Sequence, residues 1–385
     1  MRILIIGAGL GGLTAAITLA RAGFEVSVHE AATELGEVGA GLTLGFGAQH
    51  VFRALDLQRH VAASACPAGN PPFVHFRSGE ILMGAKDPGQ GLPDDGEANI
   101  VRHIYRVDLQ RVLSTAARAA GAQIHTGQRL VDLGQDAARV TAEFADGSLA
   151  SGDLLIGADG VRSRVRTLMR AGDEPRFTNH VAYRFLVPIK AARPFLSHGR
   201  SAIFIGPGRT FNRYTMAKGR IVNGVGLVET DEQAPEGWSQ EAPIGELRAA
   251  FAGWHKDVTG IIEQGGQVIK WGLYDRAPLD KWSWGRVALL GDAAHAMLPF
   301  LGLGAAMAVE DGYILGRALE QEGGDIGPAL ARYDSARIPR TTLVQQASKV
   351  QGEVTQSIDP DAFGLAKAPL NNRDMMEFDP VADFG

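Results

Sequence analysis

The sequence predicts an α/β protein with a parallel sheet and a second, antiparallel sheet inserted into the chain. Three observations support this prediction. A strand, a glycine-rich turn, a helix and a second strand follow one another at the N-terminus, and two later apolar strands, at 153–157 and 286–290, each lead to a turn that carries an aspartate. Between about 179 and 270 the chain alternates apolar and polar residues in short stretches joined by glycines, which is typical of antiparallel strands.

The N-terminal segment has the order of a βαβ unit. Arg2–Ile6 is a branched apolar strand, Leu13–Ala22 has helical spacing, and Phe24–Glu30 alternates like a strand. In the turn, the first glycine permits a tight bend, the second lets the backbone approach a pyrophosphate, and the last lets the helix pack closely. A carboxylate at the end of the second strand can accept hydrogen bonds from the ribose hydroxyls of an adenosine. The pattern predicts a Rossmann-like dinucleotide site formed by Gly7, Gly9, Leu10, Gly11, Gly12 and Glu30.

Composition excludes several other classes of protein. With 385 residues, 45% of them hydrophobic and 21% charged, the chain can bury a large core and is long enough for two domains. A net charge of −5 without any basic run argues against nucleic-acid binding. The single cysteine, Cys66, excludes an internal disulfide and a cysteine-based metal site, so no metal is expected. Without a signal-peptide pattern or a membrane-length apolar segment, we expect a cytoplasmic protein that does not bind a membrane.

Two later motifs distinguish FAD from a nicotinamide as the bound dinucleotide. DLLIGADGVRSRVR (153–166) places Asp159 after an apolar strand. GDAAHAMLPFLGLGAAMAVED (291–311) follows the strand RVALL and leads into a helix over Ala305–Leu319. Together with the first turn, these motifs resemble the three fingerprints of the class A FAD-dependent aromatic hydroxylases. These are single-component flavoprotein monooxygenases related to salicylate hydroxylase, 3-hydroxybenzoate 6-hydroxylase and 6-hydroxynicotinate 3-monooxygenase. The resemblance extends from residue 1 to about residue 345.

The resemblance implies how the second glycine-rich turn contributes to the cofactor site. Asp292 binds a ribityl hydroxyl of FAD, and backbone N–H groups after Pro299, around Gly302, Gly304 and Ala305, face the pyrimidine edge of the flavin. Reduced flavin carries negative charge there, which the N-terminus of a helix stabilises.

Three further residues are assigned by the same resemblance. Arg106, in an Arg-x-Asp-Leu signature, contacts the flavin side of the cofactor. Asp159 touches FAD and helps to receive the pyridine nucleotide. His295 lies beside the ring in sequence, but a histidine at such a position is more often a structural hydrogen-bonding residue than a catalytic one.

The resemblance also implies the division of the chain. A discontinuous Rossmann-like FAD-binding domain, of the p-hydroxybenzoate hydroxylase type, comprises 1–70, 101–175 and 275–345. A substrate-binding sheet domain comprises 71–100 and 176–274, with the proline- and glycine-rich segment 67–97 adding strands or a loop. A C-terminal helical extension covers 346–385, and its tail after about residue 357 shows little periodicity.

The implied reaction is monooxygenation. NADH or NADPH reduces FAD, O2 adds to the reduced ring at C4a, and the hydroperoxide transfers OH to an aromatic or heteroaromatic ring while water leaves. Because there is no second GxGxxG loop, the nicotinamide is expected to bind transiently rather than in its own domain. The expected partners are therefore the substrate, O2 and NAD(P)H, with the protein a monomer or a homodimer.

The substrate pocket departs from the family pattern. Relatives often use a histidine at two positions that Thr43 and Thr210 occupy here, whereas Tyr214 matches a family tyrosine. A phenolic, acidic ring would then be bound by Tyr214, Arg184 or Tyr183, although neighbours on a strand face opposite sides and cannot both line one cavity. The candidate catalytic set is Tyr214, Pro299, Arg184 and Tyr183.

Two alternative functions stay open at this stage. A flavin epoxidase would oxygenate a non-aromatic alkene or enone and would turn over no phenolic acid. A non-catalytic flavoprotein sensor would bind FAD and consume no NAD(P)H with any ligand.

Overall fold

The computed structural model describes residues 1–36, 41–68, 71–84, 100–234, 240–365, 375 and 377–384. The strands are β1 (Arg2–Ile6), β2 (Glu25–His29), β3 (Gly41–Leu44), β4 (Cys66–Pro67), β5 (Phe73–His75), β6 (Ile81–Met83), β7 (Arg102–Tyr105), β8 (Gln123–His125), β9 (Leu130–Gln135), β10 (Val140–Phe144), β11 (Leu149–Gly152), β12 (Leu154–Gly157), β13 (Arg176–Pro188), β14 (Ser201–Gly206), β15 (Arg209–Met216), β16 (Ile221–Glu229), β17 (Glu241–Ala242), β18 (Val268–Asp275), β19 (Ser283–Trp284) and β20 (Val287–Leu289).

The helices are α1 (Leu10–Arg21), α2 (Phe46–Ala54), α3 (Gln58–Ala62), α4 (Arg106–Ala119), α5 (Arg164–Met169), α6 (Ile189–Ala192), α7 (Ile244–Ala250), α8 (Lys256–Glu263), α9 (Asp292–His295), α10 (Gly304–Gln321), α11 (Ile326–Thr355) and α12 (Pro380–Phe384). Short 3-10 turns occur at Arg193–Phe195, Pro299–Leu301 and Pro360–Leu365. Within the described ranges, none of these helices combines the length and the apolar character required to cross a bilayer.

A six-stranded sheet brings the three predicted motifs to one edge. Its order is β19-β20-β12-β1-β2-β8, and all neighbouring pairs except β19–β20 are parallel. The carboxyl ends of adjacent parallel strands lie at the same edge, so the turns that hold Gly7, Asp159 and Asp292 are neighbours in space. The predicted α/β fold class is confirmed.

Close packing of α1 against α10 joins the two glycine-rich turns. A Cβ on Gly11 would lie 2.6 Å from Leu290 Cδ1 and 2.8 Å from the carbonyl oxygen of Ala308. A Cβ on Gly312 would lie 2.5 Å from the carbonyl oxygen of Gly11. Since real Cβ atoms are not found so close to backbone, only glycine allows this approach of the two helices.

The second large sheet has eight strands in the order β17-β18-β13-β16-β15-β14-β5-β6. All of its pairs are antiparallel except β14–β5. One face packs against the helical segment α6–α8 in a core that includes Phe185, Phe211 and Phe251. The opposite face contributes Ala182 and Leu227 to a smaller cluster with Trp271 and Leu298, next to the second glycine-rich turn. One face of this sheet therefore packs against helices, whereas the other faces the second glycine-rich turn.

A small sheet of order β3-β7-β4 lies between the two large ones. β3 contacts α10, whereas β7 contacts β15 of the eight-stranded sheet. The face that carries Thr43 and its cross-strand partner His103 is directed towards β15. Side chains from this sheet can therefore reach both the cofactor side and the substrate side.

The C-terminal part differs from the expected division in detail. α11 is continuous from Ile326 to Thr355, so the expected boundary at residue 345 falls inside a helix. Beyond it, Gln356 Oε1 lies 2.8 Å from His180 Nε2, and Phe363 stacks on Phe73. The tail therefore packs against the eight-stranded sheet. Of the segment 67–97, residues 71–84 supply β5 and β6, whereas residues 85–97 lie outside the described residues.

Candidate active site

The first glycine-rich turn has the steric character of a phosphate cradle. Gly7 has a φ of +107°, and a Cβ there would overlap the carbonyl oxygen of Ala158. A Cβ on Gly12 would overlap the carbonyl oxygen of Gly7. For a Cβ on Gly9, in contrast, the nearest protein atom is 3.9 Å away. The protein alone does not require glycine at position 9, whereas a ligand against the backbone there would.

Glu30 is directed towards this turn. Its Oε2 accepts a hydrogen bond from the N–H of Ala8 at 2.8 Å, and its Oε1 accepts one from the N–H of Ala32 at 2.9 Å. Gln110, which the sequence analysis did not single out, donates from Nε2 to the carbonyl oxygen of Ala8 at 2.9 Å. Glu30 and Gln110 thus hold the turn from its two sides, and each carboxylate oxygen of Glu30 keeps capacity for a further hydrogen bond.

Two long helices begin at the predicted cofactor contacts without a capping side chain. Among the described residues, none caps α1 at Gly9 or α10 at Leu303, and neither helix has an acid in its first turn. The first N–H groups of such helices lack intrahelical partners and carry the positive end of the helix dipole. Both termini are therefore suited to negatively charged ligand groups.

Asp292 and Arg106 lie close enough for each to affect the pKa of the other. Asp292 is exposed, yet the protein surrounding it raises the pKa of its carboxyl by desolvation, against the opposing effect of His295 and Arg106. Burial lowers the pKa of Arg106, while the carboxylates of Asp292 and Glu30 act to raise it. Arg106 is thus within electrostatic reach of the acids of both glycine-rich turns, and a bound dinucleotide can use all three groups.

Asp159 has a structural task that the sequence analysis did not foresee. Its carboxylate accepts hydrogen bonds from Ser163 Oγ at 2.5 Å and from the N–H groups of Arg164 and Val165 at 2.7 and 3.1 Å. Burial raises the pKa of this carboxyl, and these hydrogen bonds oppose the shift. The carboxylate therefore holds the N-terminus of α5.

Arg166 connects the second motif with the third. Its fully buried guanidinium donates to the carbonyl oxygens of Ala293 and Ala294 at 3.1 and 2.8 Å and pairs with Asp173 at 2.8 Å. Arg166 belongs to the motif quoted from the sequence, yet this position was given no role there. It fixes α9, which begins at Asp292, relative to α5.

A buried charge network holds the second glycine-rich turn. Asp311 Oδ2 accepts from the N–H of Gly291 at 2.8 Å and lies 2.5 Å from His295 Nε2, while Oδ1 accepts from Arg337 Nε at 2.6 Å. Burial alone would raise the pKa of Asp311, but His295 and Arg337 hold it at about 2. This arrangement supports the structural interpretation of His295, whose ring is buried and committed to Asp311.

The candidate substrate pocket lies where the eight-stranded sheet faces β3 and β7. Tyr214 extends from β15 towards Gly41, where a Cβ would lie 2.6 Å from the phenol oxygen. Its ring stacks on His103 at 4.2 Å between centroids. Arg184 lies on the same face, and its guanidinium carbon is 4.9 Å from the centroid of the Trp271 ring. It is close enough to Tyr214 and Arg106 for both to affect its pKa. Thr43 lies beside Gly302, so the pocket borders the second glycine-rich turn.

Tyr183 does not reach this pocket. Its side chain packs with Phe185 in the core beneath the helices, and its hydroxyl donates to Glu246 Oε2 at 3.3 Å. Alternation along β13 places Arg184 on the pocket face and Tyr183 on the other. The assignment of Tyr183 to the catalytic set is therefore corrected. Of the two other proposed positions, Pro299 is exposed at the start of the second turn, and Thr210 is buried on the pocket face of β15.

A second titratable cluster lies on the helix-packed face of the same sheet. His198, His255 and Asp257 bring one possible ligand atom each within 4.8 Å of one another. However, Arg213 Nη2 lies 3.5 Å from Asp257 Oδ2, which also accepts from the N–H of Ser197 at 3.0 Å. A fixed guanidinium at this distance opposes a cation. We interpret the cluster as a structural support for β15, the strand that carries Tyr214.

Comparison with known proteins identifies the family. A family model described as an FAD binding domain matches residues 1–348. A 3-amino-4-hydroxybenzoate 2-monooxygenase from Streptomyces cremeus is 34% identical over 349 residues, covering 91% of this chain and 86% of the relative. The chain belongs to the class A FAD-dependent aromatic hydroxylases.

Two further comparisons support the same placement of the hydroxylase. A 6-hydroxynicotinate 3-monooxygenase from Bordetella bronchiseptica is 34% identical over 370 residues, covering 94% of each protein. A solved salicylate hydroxylase substrate complex superposes with a TM-score of 0.83 at 26% identity, covering 100% of this chain and 97% of the other. The family predicted from the three motifs is confirmed, and the hydroxylase is an FAD-dependent monooxygenase that uses NADH or NADPH and O2.

The arrangement of residues fits FAD. The open Cβ position of Gly9 and the uncapped start of α1 suit a pyrophosphate. The accessible carboxylate of Asp292 suits a hydroxylated chain, and the uncapped start of α10 suits the electron-rich edge of a flavin. These groups could hold the cofactor in an extended form across the carboxyl edge of the parallel sheet.

Glu30→Ala is expected to raise the dissociation constant for FAD more than the Michaelis constant for the nicotinamide. The loss of a charge-assisted hydrogen bond costs about 1.5–3 kcal/mol, which corresponds to roughly tenfold or more in affinity. FAD binding can be measured by titrating the apoprotein, and nicotinamide use by steady-state kinetics. Glu25→Ala, at the start of the strand that ends just before Glu30, is the matched control, because Glu25 pairs with Arg2 at the surface. The reverse ordering of the two effects would show that the first turn binds the nicotinamide cofactor.

Proposed function

We propose that the hydroxylase acts on a small aromatic or heteroaromatic acid that carries a ring hydroxyl, and that the ring lies between β15 and the second glycine-rich turn. The observation that carries this proposal is the pairing of a buried cation with a protonated phenol on one face of the sheet. Arg184 and Tyr214 project from adjacent parts of that face, and each affects the charge of the other.

Arg184 is suited to a carboxylate. Its side chain is 8% exposed, and burial lowers its pKa to about 10, so it keeps its positive charge at neutral pH. A buried guanidinium is stabilised when an anionic group enters its surroundings, and its planar donors match the two oxygens of a carboxylate. The relatives named above act on hydroxybenzoate and hydroxynicotinate compounds, which are acids of this kind.

Tyr214 is suited to a ring hydroxyl. Burial raises its pKa to about 12, so the phenol stays protonated and can donate a hydrogen bond. Such a bond fixes the rotation of the ring about the axis set by the carboxylate. Together, the two side chains can determine which carbon atom of the ring faces the cofactor.

The protein groups around the cofactor have separate tasks in the reaction. When bound, FAD supplies the transfer of one oxygen atom from O2 to the ring, with NADH or NADPH as the electron donor. The free N–H groups at the start of α10 stabilise negative charge near the flavin, and Arg106 offsets the charges of Asp292 and Glu30. The buried surroundings of Arg184 and Tyr214 exclude water from the ring.

The same proposal assigns different tasks to the two parts of the chain. Segments 1–70, 101–175 and 275–345 hold FAD, whereas 71–100 and 176–274 supply the sheet that covers the substrate. Thr43 and His103 belong to the FAD-holding segments and line the side of the pocket opposite β15. In this proposal, the substrate therefore lies at the interface between the FAD-holding segments and the sheet.

A screen of salicylate, hydroxybenzoates and hydroxynicotinates for stimulated NADH and NADPH oxidation tests the proposal. Mass spectrometry should detect an added oxygen atom in the product. Oxygenation of an alkene without turnover of any aromatic acid would favour the epoxidase alternative, and FAD binding without NAD(P)H oxidation by any ligand would favour the sensor.

Arg184→Met is expected to raise the Michaelis constant for hydroxylated aromatic acids by roughly tenfold or more, because a charge-assisted hydrogen bond of about 1.5–3 kcal/mol is lost. The binding of phenol, which lacks the carboxylate, should change little. Arg176→Met removes a surface arginine from the same strand, where it pairs with Asp275, and is the control. An equal loss for phenol and for the acids would contradict a carboxylate-binding role.

A further inference from the structure

The pocket contains a buried polar atom that no described residue satisfies. His103, on β7, is 4% exposed, and its Nδ1 lies 3.2 Å from Thr43 Oγ1. Its Nε2 is buried and has no hydrogen-bond partner among the residues that the structure describes. An unsatisfied buried polar atom costs about 1–3 kcal/mol, so folded proteins keep few of them. The position of this one, beside Tyr214, indicates that a ligand completes it.

The imidazole ring of His103 is held on two sides. Thr43 is its direct partner across the β3–β7 pair and binds the ring at Nδ1. Tyr214 stacks on one face of the ring, with 4.2 Å between centroids and 23° between planes. Gly41 leaves space for the phenol, since a Cβ there would lie 2.6 Å from its oxygen. The two rings therefore form a rigid pair whose polar atoms keep a fixed relation.

The two rings offer complementary hydrogen-bonding groups. Burial lowers the pKa of His103 to about 3, so the imidazole is neutral at physiological pH. In the tautomer whose Nδ1–H donates to the Thr43 hydroxyl, the lone pair of Nε2 is an acceptor. Tyr214 is protonated and is a donor. A hydroxyl group is both a donor and an acceptor, and it is the simplest ring substituent that satisfies such a pair.

We infer that His103 and Tyr214 together recognise the ring hydroxyl of the substrate, which donates to His103 Nε2 and accepts from the Tyr214 hydroxyl. This inference rests on the proposed function and specifies how the same pocket selects its substrate. His103 contacts the substrate directly and excludes rings that lack the hydroxyl, because these leave its buried Nε2 unsatisfied and give the Tyr214 hydroxyl no acceptor. It also excludes methoxy analogues, which can accept a hydrogen bond but cannot donate one.

The test is a binding comparison on the FAD-loaded protein by isothermal titration calorimetry. The probes are 3-hydroxybenzoate with benzoate and 3-methoxybenzoate, and 6-hydroxynicotinate with nicotinate. The wild-type protein should bind the hydroxylated member of at least one set roughly tenfold more tightly than the analogues. His103→Phe keeps an aromatic ring against Tyr214 without the nitrogen. It should bind 3-hydroxybenzoate no more tightly than 3-methoxybenzoate, and it should lose part of the preference over the unsubstituted acids. His103→Gln, whose amide oxygen can accept, should restore part of the preference, and Tyr214→Phe should lower it.

His125→Phe is the matched control, because His125 also stacks on another ring but lies on β8 of the parallel sheet. It should keep the wild-type preference. Equal binding of all members by the wild-type protein would overturn the inference, as would an undiminished preference for the hydroxylated member in His103→Phe. If His103→Phe loses FAD, the decision rests on His103→Gln and Tyr214→Phe, in which an undiminished preference is equally contradictory. Failure of the proposed function has a different signature, namely that no aromatic acid stimulates NAD(P)H oxidation.

Discussion

Gly9→Val is expected to give a folded but colourless protein, whereas the wild-type protein should be yellow with bound FAD. Among the described residues, the nearest atom to a Cβ at Gly9 is 3.9 Å away, so the apoprotein has room for this atom. The space it fills is the one proposed for the pyrophosphate. Overpacking costs of about 3 kcal/mol correspond to roughly a hundredfold loss of affinity. Flavin absorbance per protein and the circular dichroism spectrum measure the two properties separately.

Two further glycine variants are controls for this prediction. Gly12→Val should fail to fold, because its Cβ would overlap the carbonyl oxygen of Gly7 with or without cofactor. Gly134→Val should keep both fold and flavin, because a Cβ at this strand position lies more than 4 Å from every described residue other than its chain neighbours. Asp292→Ala should also lower the flavin content, through loss of a hydrogen-bond acceptor. Wild-type flavin in both Gly9→Val and Asp292→Ala would contradict the assigned cofactor site.

Arg337→Met is expected to lower the free energy of unfolding by several kcal/mol. The guanidinium is fully buried and donates to Asp311 Oδ1 at 2.6 Å and to Glu310 Oε2 at 2.9 Å. Removing one partner of a buried ion pair leaves uncompensated charge and costs about 3–5 kcal/mol. Urea denaturation should show this as a lower free energy of unfolding. Arg332→Met on the same helix, which loses a surface pair with Glu322 and a contact with the Phe384 ring, should cost about 1 kcal/mol.

The free energy of unfolding measured at acidic pH gives an independent test of this charge network. Because the pKa of Asp311 is about 2 in the folded protein and its ordinary value is 3.8, the stabilisation is present above the ordinary value. It is lost as the pH falls from about 4 towards 2. Asp311→Asn should therefore lose stability at neutral pH and show a shallower decline over that interval. An unchanged acid profile in Asp311→Asn would mean that the network contributes no stability through this carboxyl.

Features that depend on local sequence were predicted well. The βαβ unit was recognised because its strands, its glycines and its helix are adjacent in the chain, and the observed strand Arg2–Ile6 has the predicted bounds. The antiparallel strands followed from alternation and glycine turns, although the observed β13 extends further, over Arg176–Pro188. Hydrophobic periodicity carries this kind of information directly.

Features that depend on distant partners were missed. The helix-capping role of Asp159 depends on the orientation of Ser163 and α5, which a strand-turn motif does not reveal. His103 was passed over because its significance comes from Thr43 and Tyr214, which lie in other strands. One signal was available: the prediction had already noted two threonines where relatives have histidines. A histidine elsewhere in the pocket could have been sought among strands able to pair with that of Thr43.

The glycine contacts between α1 and α10 have a consequence for the order of assembly during synthesis. The first turn leaves the ribosome with α1, but the helix that packs against Gly11 is made only when residues 304–321 have been added. Because domains fold as their segments become available, the nascent chain lacks α10 and the second glycine-rich turn until most of its length has been made. Closing so long a separation in sequence is also slow. We therefore expect FAD capture to be a late event in biogenesis, and chains that end before α10 should be unable to retain the flavin.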